Sequence, residues 1–399
     1  MSVKRCRPRH ILNPTKPPCV PMSFVVSSAQ LLKHLKAIQG VVSPNPSFPI
    51  LENFLFEVGK GVLRTTASDM QTTVVSELPV EATEDVQVAV PAKMLVDALG
   101  SLPEQPVKFS IDEESYAMTL KTETGSYRIS CENAVDWPRT PRLSSGKNIT
   151  MPAAVLAKSI NTTLFAASTE DNRPALNGVY FDLQEDKATM VATDGHRMVR
   201  YSRTDVTAAT GETVQFILPR KSLNFLRTAL PGDMSDVAIG FSTTNAVFSW
   251  GSITLNCRLI DERYPDYNAV IPLQNPNVLS IERLDLLNAL KRIVIFTNRA
   301  TNQVRWKLSA TELQLTGEDT DYSNEGVERL SADYEGDPME IGFNAKMMID
   351  ILSNIDSNLV SIEMSTPNRP GLVMPKHKDA AEDVLMLAMP IMLTSMVSV

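Results

Sequence analysis

An internal repeat constrains this chain more than any other feature of its sequence. A short acidic turn follows strand-like residues three times, at Asp69, Asp194 and Asp319, with intervals of 125 residues (69 to 194 and 194 to 319). That period is far longer than the roughly 20–45 residues of a solenoid unit, and it is near the usual size of a whole domain. The 399-residue chain is therefore predicted to contain three tandem copies of one domain.

Each copy contains two segments in which apolar residues recur at intervals of three and four, which indicates a helix with one buried face. The first segments span residues 30–39, 152–165 and 281–296. The second segments span residues 90–99, 218–230 and 343–352, with a proline or asparagine near their start that suits a helix N-terminus. The many short alternating runs around them predict strands, and the expected fold class is α+β. Residues 384–393 form an apolar, methionine-rich run that predicts a buried strand.

Composition excludes some classes of protein. The formal net charge of −8 argues against a chain that grips nucleic acid over its whole surface, although it leaves room for a basic stripe on one face. No run approaches the roughly 18 apolar residues that a membrane helix needs. The four cysteines, Cys6, Cys19, Cys131 and Cys257, lack zinc-ligand spacing. We therefore expect reduced thiols in a cytoplasmic protein, with no metal and no cofactor.

The two ends of the chain differ from the repeats. Residues 1–21 are basic and rich in proline, and they cannot bury enough surface to fold alone. They are either a DNA-tethering tail or the product of an upstream start codon, and the second reading is favoured because the ordered pattern begins at Met22. Residues 394–399 form a short tail after the last repeat.

Five motifs, in order along the chain, resemble the bacterial sliding clamp family, the β subunit of DNA polymerase III. They are RPALNG at 173–178, ATDGHRM at 192–198, RYPDY at 263–267, MEIGFN at 339–344 and MP at 389–390. The resemblance implies three tandem clamp domains, at residues 22–145, 149–272 and 277–393. Each domain would have two helices and two four-stranded sheets, and two chains would join head to tail in a six-domain ring.

The resemblance also implies a function and a set of partners. The ring would encircle double-stranded DNA without regard to sequence and would tether the replicative polymerase, as a non-catalytic processivity factor. Its partners would be a second copy of the chain, the DNA polymerase III alpha subunit, a clamp-loader ATPase, and other polymerases and repair proteins that carry short hydrophobic peptide motifs. The protein would be associated with the nucleoid in the cytoplasm, with no membrane contact.

The repeat and the resemblance together predict a DNA-contacting set. A lysine recurs at the start of the second helix of each copy, as a surface around a pseudo-symmetric rod of phosphates requires. An arginine precedes the second of these lysines, and the resemblance adds an arginine in a loop. The alternative is that these side chains are simply solvated. The predicted set is Lys93, Arg173, Arg220, Lys221 and Lys346.

The resemblance further implies a pocket for partner peptides between the second and third domains, with apolar walls and a few polar groups. Its predicted residues are Leu176, Thr193, Gly195, His196, Arg197, Met198, Pro265, Val270, Leu387, Met389, Pro390 and Ile391. The alternative for each apolar member is ordinary core. At the ring-closing interface, the resemblance places Tyr127 and Ile129 opposite Ile295 and Phe296.

Four positions depart from the pattern of the family. Asn45 and Glu170 stand where relatives carry an arginine or an uncharged residue, which puts DNA contacts from those loops in doubt. Ala269 and Met392 replace positions that are arginine in some relatives, so the polar contacts of the pocket are expected to change.

Two other functions compete with a clamp. Asp194 and His196 are close in sequence and together suggest base or metal chemistry in a hydrolase. However, Asp-Gly between strand-like runs indicates a hairpin turn, and no HExxH, GxSxG or phosphate-loop motif is present. The other alternative is a scaffold that binds proteins without forming a ring.

Overall fold

A computed structural model describes residues 22–82, 85–138, 147–206, 213–377 and 379–393. Residues 1–21 and 394–399, to which the sequence assigns tails, lie outside this described part. The chain divides into two compact units, Met1–Thr140 and Pro141–Val399. The first unit contains one copy of the repeat and the second contains two.

The first unit combines two helices with nine strands. Helix α1 is Ser28–Ile38 and helix α2 is Ala92–Gly100. The strands are β1 Met22–Ser27, β2 Asn53–Gly59, β3 Val62–Ser68, β4 Thr72–Pro79, β5 Glu81–Ala82, β6 Val86–Pro91, β7 Pro106–Asp112, β8 Ala117–Lys121 and β9 Ser126–Ser130. They pair antiparallel in the orders β5-β1-β7-β8-β9 and β4-β3-β2-β6.

Local sequence explains these elements. Ser27 caps α1 by accepting a hydrogen bond from the backbone N–H of Gln30, and buried leucines at positions 31 and 35 place one face of the helix in the core. Phe24 on β1 lies opposite Phe109 on β7. Their rings stack with centroids 4.8 Å apart, so a cross-strand aromatic pair fixes the register of this sheet.

The second unit contains four helices and eighteen strands among its described residues. The helices are α3 Ala153–Thr163, α4 Arg220–Ala229, α5 Arg283–Ile293 and α6 Ala345–Ser353. The strands of the middle copy are β10 Lys147–Pro152, β11 Gly178–Leu183, β12 Ala188–Thr193, β13 Arg197–Arg203, β14 Val214–Pro219, β15 Asp236–Phe241, β16 Asn245–Trp250 and β17 Ile253–Arg258.

The last copy follows the same plan. Its strands are β18 Asn277–Glu282, β19 Gln303–Ser309, β20 Glu312–Asp319, β21 Asn324–Ser331, β22 Asp333–Glu335, β23 Met339–Asn344, β24 Leu359–Met364, β25 Gly371–Pro375, β26 Glu382–Ala388 and β27 Pro390–Ile391. Strands β10, β15, β16 and β17 pair in that order. A five-stranded sheet has the order β21-β20-β19-β23-β27, and a nine-stranded sheet has the order β14-β11-β12-β13-β26-β25-β24-β18-β22.

One pair of strands joins the middle and last copies. All seven residues of β13 pair with β26, from Arg197 opposite Ala388 to Arg203 opposite Glu382. The backbone hydrogen bonds of this pair make the two copies parts of one continuous sheet. The positions of residues 193–198 and 385–391 relative to each other are therefore fixed by regular secondary structure.

The structure confirms two helices in each copy. The second helices begin later than predicted, because Pro91, Pro219 and Asn344 end the preceding strands and serve as N-cap residues. Each copy also has two groups of four antiparallel strands, extended by the short strands β5, β22 and β27. The buried strand predicted within 384–393 is confirmed as β26, but it ends at Ala388, because the chain leaves the nine-stranded sheet at Met389 and enters the five-stranded sheet as β27.

Candidate functional site

The three acidic turns have a structural role. Each aspartate carboxylate accepts backbone N–H groups of the residues that follow it: Asp69 from Gln71 and Thr72, Asp194 from His196 and Arg197, and Asp319 from Asp321. Aspartate favours such turns because its short side chain reaches the backbone two residues further on. The recurrence at 125-residue intervals thus reflects one turn used three times.

The middle turn is the most elaborate of the three. The Asp194 Oδ1 atom accepts from the backbone N–H groups of His196 and Arg197, both at 2.9 Å. Thr193 Oγ1 donates to the carbonyl of Arg197 at 2.7 Å and accepts from the N–H of Gly195 at 3.0 Å. Gly195 has φ +91°, a left-handed conformation that favours glycine. Asp194 engages His196 through its backbone N–H, which is the geometry of a turn.

The guanidinium of Arg197 fixes this turn to its surroundings. Its Nε donates to Asp194 at 3.0 Å, one terminal nitrogen donates to Asp350 on α6 at 2.5 Å, and the other donates to the carbonyl of Phe165 at 3.1 Å. The guanidinium carbon also lies 5.3 Å from the centre of the Phe165 ring. With 14% of its side chain exposed, Arg197 serves the architecture of the predicted pocket by linking the turn to α6.

Three apolar members of the predicted pocket belong to one buried cluster. Leu176, Met198 and Leu387 pack together with Tyr264 and Ile217, and Met198 lies directly opposite Leu387 in the β13–β26 pair. Each of the three is at least nine-tenths buried. These three side chains are core residues, so any exposed apolar surface here comes from the other predicted members.

Several other predicted members are exposed. Val270 is 51% exposed and Met389 is 39% exposed, and His196 and Pro265 are also exposed. The N–H of Met389 donates to the carbonyl of His196 at 2.8 Å, so the acidic turn and the end of β26 are neighbours. Pro390 and Ile391 on β27 pair with β23. The twelve predicted pocket residues thus all lie in the second unit.

The predicted DNA-contacting lysines occupy equivalent places. Lys93, Lys221 and Lys346, which we call the helix-start lysines, are each the second residue of their helix, and each is exposed. The first helices carry further cations, two of which are ion-paired: Lys158 Nζ lies 2.7 Å from Glu382, and Arg292 lies 2.6 Å from Glu328.

The two predicted DNA-contacting arginines have protein contacts of their own. Arg220 is half-buried, and its Nη1 donates to the carbonyl of Ala167 at 2.5 Å. Burial lowers the pKa of its guanidinium. Arg173 is exposed, and a Cβ atom added to Gly195 would lie only 2.9 Å from its Nη1. Arg173 therefore adjoins the acidic turn of the predicted peptide pocket.

Tyr127 and Ile129 lie on an edge strand, and Ile295 and Phe296 lie in the short turn after α5, where the Phe296 ring adjoins Gly326 of β21. Strand β9, which carries Tyr127 and Ile129, pairs only with β8 among the described residues, and β21 pairs only with β20. Tyr127 is 46% exposed, Ile295 is 74% exposed and Phe296 is 41% exposed. Ile129 is only 3% exposed, so its side chain belongs to the core of the first unit and little of its surface remains for a partner.

The described part of the chain was searched for metal-ligand clusters and reactive thiols. No group of three or more histidine, cysteine, aspartate or glutamate residues there could hold a metal ion. Cys131 and Cys257 are buried free thiols, and burial raises the pKa of Cys131 to about 11 and that of Cys257 to about 12. None of the described helices combines the length and hydropathy needed to cross a bilayer.

Comparison with known proteins identifies the family. The DNA polymerase III beta subunit N-terminal domain matches residues 22–141, its central domain matches 150–266, and its C-terminal domain matches 268–389. The chain belongs to the DNA polymerase III beta subunit family. The three matches follow the order and number of the copies in the sequence.

Individual members of the beta subunit family agree along nearly the whole chain. The beta sliding clamp of Escherichia coli is 30% identical over 334 residues, which are 83% of this chain and 90% of that protein. The crystal structure of a sliding clamp from Bartonella birtlesii bound to griselimycin has a TM-score of 0.87 at 30% identity, covering 93% of this chain and 100% of that one. The Pseudomonas aeruginosa subunit has a TM-score of 0.88 at 28% identity, with the same coverage. These relatives confirm the predicted fold of three clamp domains and the sliding-clamp function.

Several residues around the predicted pocket were not predicted from the sequence. Phe165 and Asp350, which hold Arg197, carry no local signal, since Asp350 is 153 residues from its partner. Tyr180 and Tyr267, which pack against the apolar cluster, could have been found from the period-two alternation of β11 and from the RYPDY motif. The four departures from the family pattern, at Asn45, Glu170, Ala269 and Met392, are all exposed.

Proposed function

We propose that this sliding clamp closes head to tail with a second copy into a ring that encircles duplex DNA and tethers the replicative DNA polymerase. The observation that carries the proposal is the recurrence of an exposed lysine at the second position of α2, α4 and α6. In a ring of repeated domains, equivalent lysines would meet the phosphates at regular intervals. The N-termini of the helices also favour phosphate.

Weak contacts are sufficient for such a ring. Once the chain is closed around DNA, topology prevents dissociation, and phosphate contacts that ignore sequence permit sliding. The overall charge of −8 is compatible with this arrangement, because an acidic body discourages adhesion of DNA to any other surface. We assign the DNA-contacting role first to the helix-start lysines. Their exposed positions are equivalent in all three copies, whereas Arg173 and Arg220 each occur in one copy and remain predictions.

Ring closure is proposed to pair β9 of one chain with β21 of the other. Each strand has one side without a strand partner among the described residues, and unpaired edges with exposed apolar side chains invite pairing. Tyr127, Ile295 and Phe296 supply the exposed apolar surface, while Ile129 would contribute through its backbone. The ring would be heterologous and closed, with two identical interfaces.

The polymerase and other partners are proposed to dock a short apolar peptide on the Leu176–Met198–Leu387 cluster and its exposed neighbours. Apolar side chains of the peptide would extend the cluster, and the backbone groups of the acidic turn would orient it. Met389, which is partly exposed, suits a surface that accepts several sequences, because a methionine side chain adapts to different shapes. The proposed partners are the DNA polymerase III alpha subunit, a clamp-loader ATPase, and other polymerases and repair proteins.

The remaining parts of the proposal are a non-catalytic role, a cytoplasmic location at the nucleoid, and domain bounds of 22–145, 149–272 and 277–393. The geometry around Asp194 supports the non-catalytic role. Its carboxylate is engaged by two backbone N–H groups and by Arg197, so a hydrolase that used it as a base would first have to break the turn.

The decisive experiment separates topological from ordinary binding. The chain is loaded onto a nicked circular plasmid by a clamp loader with ATP, isolated by gel filtration, and challenged with a restriction enzyme that cuts once. We expect retention on the circle, loss after cutting, and retention again when bulky proteins block both ends. Equal retention on circular and on unblocked linear DNA, or no retention on either, would exclude the ring and favour a scaffold.

A further inference from the structure

A cavity lies beside the proposed peptide surface. It has a volume of about 520 Å³ and is enclosed by the segment 259–268, by β11 and β14, and by the turn between β15 and β16. Tyr264 and Pro265 line it, and Tyr264 also packs in the apolar cluster with Leu176 and Met198. The cavity, which we call the tyrosine cleft, is therefore adjacent to the surface on which the partner peptide is proposed to dock.

A buried carboxylate lines this cleft. Asp182 on β11 is only 7% exposed. One of its oxygens accepts from the amide of Gln215 at 3.2 Å, and the other accepts from the amide of Gln184 at 3.0 Å. Neutral amides compensate a buried negative charge less well than a cation does. Within the described ranges, no ion pair includes Asp182, and the neighbouring Arg200 is paired with Asp383.

Three tyrosines line the same cleft. The ring of Tyr180 stacks on Tyr264 with centroids 4.7 Å apart, and its centroid is 6.2 Å from that of Tyr267. Burial raises the pKa of Tyr180 to about 12, and the charge of Asp182 adds to the effect. The same two causes raise the pKa of Tyr267. The hydroxyl groups of these two tyrosines thus lie within the electrostatic reach of Asp182, and they are neutral at physiological pH.

The outer part of the cleft is also acidic. The segment 261–266 contributes Asp261, Glu262 and Asp266, against a single guanidinium from Arg263, and all four side chains are exposed. Together with Asp182, the cleft holds four carboxylates for one cation. Aromatic faces, hydroxyl oxygens and carboxylates share one preferred ligand class, a compact organic cation such as an ammonium or a guanidinium.

We propose that the tyrosine cleft binds a lysine or arginine side chain that flanks the apolar motif of the docked partner peptide. The proposal rests on the peptide-docking function proposed above and adds a basic residue to the sequence that the clamp selects. The cleft volume exceeds that of one such side chain, so part of the peptide backbone enters with it. A partner whose flanking residue is acidic would meet like charges and bind less well.

The test compares peptides that differ in one charge. Fluorescent peptides with the same apolar motif carry either lysine or its uncharged isostere norleucine, placed in turn at each flank, and binding to the full chain is followed by anisotropy. At one flank, we expect the lysine peptide to bind about tenfold more tightly, a difference of about 1.4 kcal/mol. Asp182→Asn should remove that preference and leave the affinity for the norleucine peptide unchanged.

Two further variants guard against a folding defect. Tyr267→Phe keeps the ring and removes the hydroxyl group, and it should reduce the lysine preference several-fold. Asp186→Asn removes an exposed carboxylate from the turn between β11 and β12, outside the cleft, and should preserve the preference. Thermal unfolding of every variant reports whether it remains folded.

The outcomes separate this inference from the docking function itself. If neither peptide binds, the proposed docking surface is wrong. If both bind equally at every flank, docking stands and the cleft proposal is overturned. Spermidine tests whether the cleft binds a free organic cation and not a peptide side chain. If spermidine binds only when Asp182 is present and the peptides show no lysine preference, the assignment to a peptide side chain is overturned.

Discussion

Replacing Asp194 by alanine tests whether the acidic turn is the structural base of the peptide surface. The change removes the acceptor of the His196 and Arg197 backbone N–H groups and one partner of the Arg197 guanidinium. Arg197 keeps its hydrogen bonds with Asp350 and with the carbonyl of Phe165. The turn is expected to loosen while the sheet beneath it persists.

The size of the stability loss in Asp194→Ala depends on how exposed the broken hydrogen bonds are. The side chains of Asp194 and Arg197 are only 19% and 14% exposed, so the charge-assisted bond between them is worth about 1.5–2 kcal/mol. The two backbone N–H groups lie in a turn whose tip is exposed, so water replaces much of what the carboxylate gave them, at a net cost of about 0.5–1 kcal/mol. The expected loss in the free energy of unfolding is therefore about 2–3 kcal/mol, or about 4–12 °C in Tm at roughly 2–4 °C per kcal/mol.

Two measurements check this expectation, thermal unfolding and the affinity for a fluorescent apolar peptide. Asp194→Asn keeps an acceptor oxygen for the turn and removes the charge, so we expect it to lose about half as much stability as Asp194→Ala. Peptide affinity should fall about tenfold in the alanine variant, because the groups that orient the peptide are no longer held. Asp186→Ala, which removes an exposed carboxylate in the turn between β11 and β12, is the matched control and should change neither quantity.

An Asp194→Ala variant that matches the unchanged chain in both stability and peptide affinity would refute the structural role of the turn. A different result would revive the hydrolase alternative. If the unchanged chain hydrolysed a phosphodiester or peptide bond and Asp194→Asn abolished that activity without loss of Tm, the carboxylate would have a chemical role. We expect no turnover by either protein.

Three other predictions address other parts of the molecule. Changing all three helix-start lysines to alanine should weaken the salt dependence of DNA binding. The slope of log binding constant against log salt concentration should become shallower by about 0.9 for each phosphate that the variant no longer neutralises. Changing Lys307, an exposed lysine on β19, is the control and should leave that slope unaltered. Phe296→Glu places a charge at the proposed ring interface, where Phe296 is 41% exposed, and sedimentation should then detect a folded monomer; an intact dimer would contradict the assignment. Burial lowers the pKa of His34 below 6.5, so on acidification this imidazole is protonated in the unfolded chain before it is protonated in the folded chain. Stability should thus decline as pH falls below about 6.5, and calorimetry should show a weaker decline in His34→Gln.

Much of the fold was predictable because local sequence patterns determine it. Helix α1 has its buried leucines three to four residues apart and its capping serine directly before it, and the acidic turns recur with the same side-chain chemistry at Asp69, Asp194 and Asp319. Such signals need only neighbouring residues. The start of each second helix was predicted too early, because a proline or asparagine can end a strand and cap a helix at the same position.

The residues that the sequence did not reveal are those whose partners are distant in the chain. A lysine on a helix looks the same whether solvated or paired, and Lys158 is paired with Glu382, 224 residues away. The position of Arg220 beside Lys221 suggests a solvated cation, yet its guanidinium donates to the carbonyl of Ala167. These contacts depend on how strands and helices pack in three dimensions, and no periodicity in the sequence records them.

The proposed function depends on two copies of this chain forming a closed ring. The most direct test is the solution mass of the purified protein, measured by sedimentation equilibrium across a range of concentrations. A closed ring of two copies has a mass of about 88 kDa, twice the 44.0 kDa of one chain, and we expect this mass to persist on dilution to nanomolar concentrations. A mass of 44.0 kDa at every concentration would contradict it, because a lone chain of three domains cannot enclose DNA in the proposed six-domain ring.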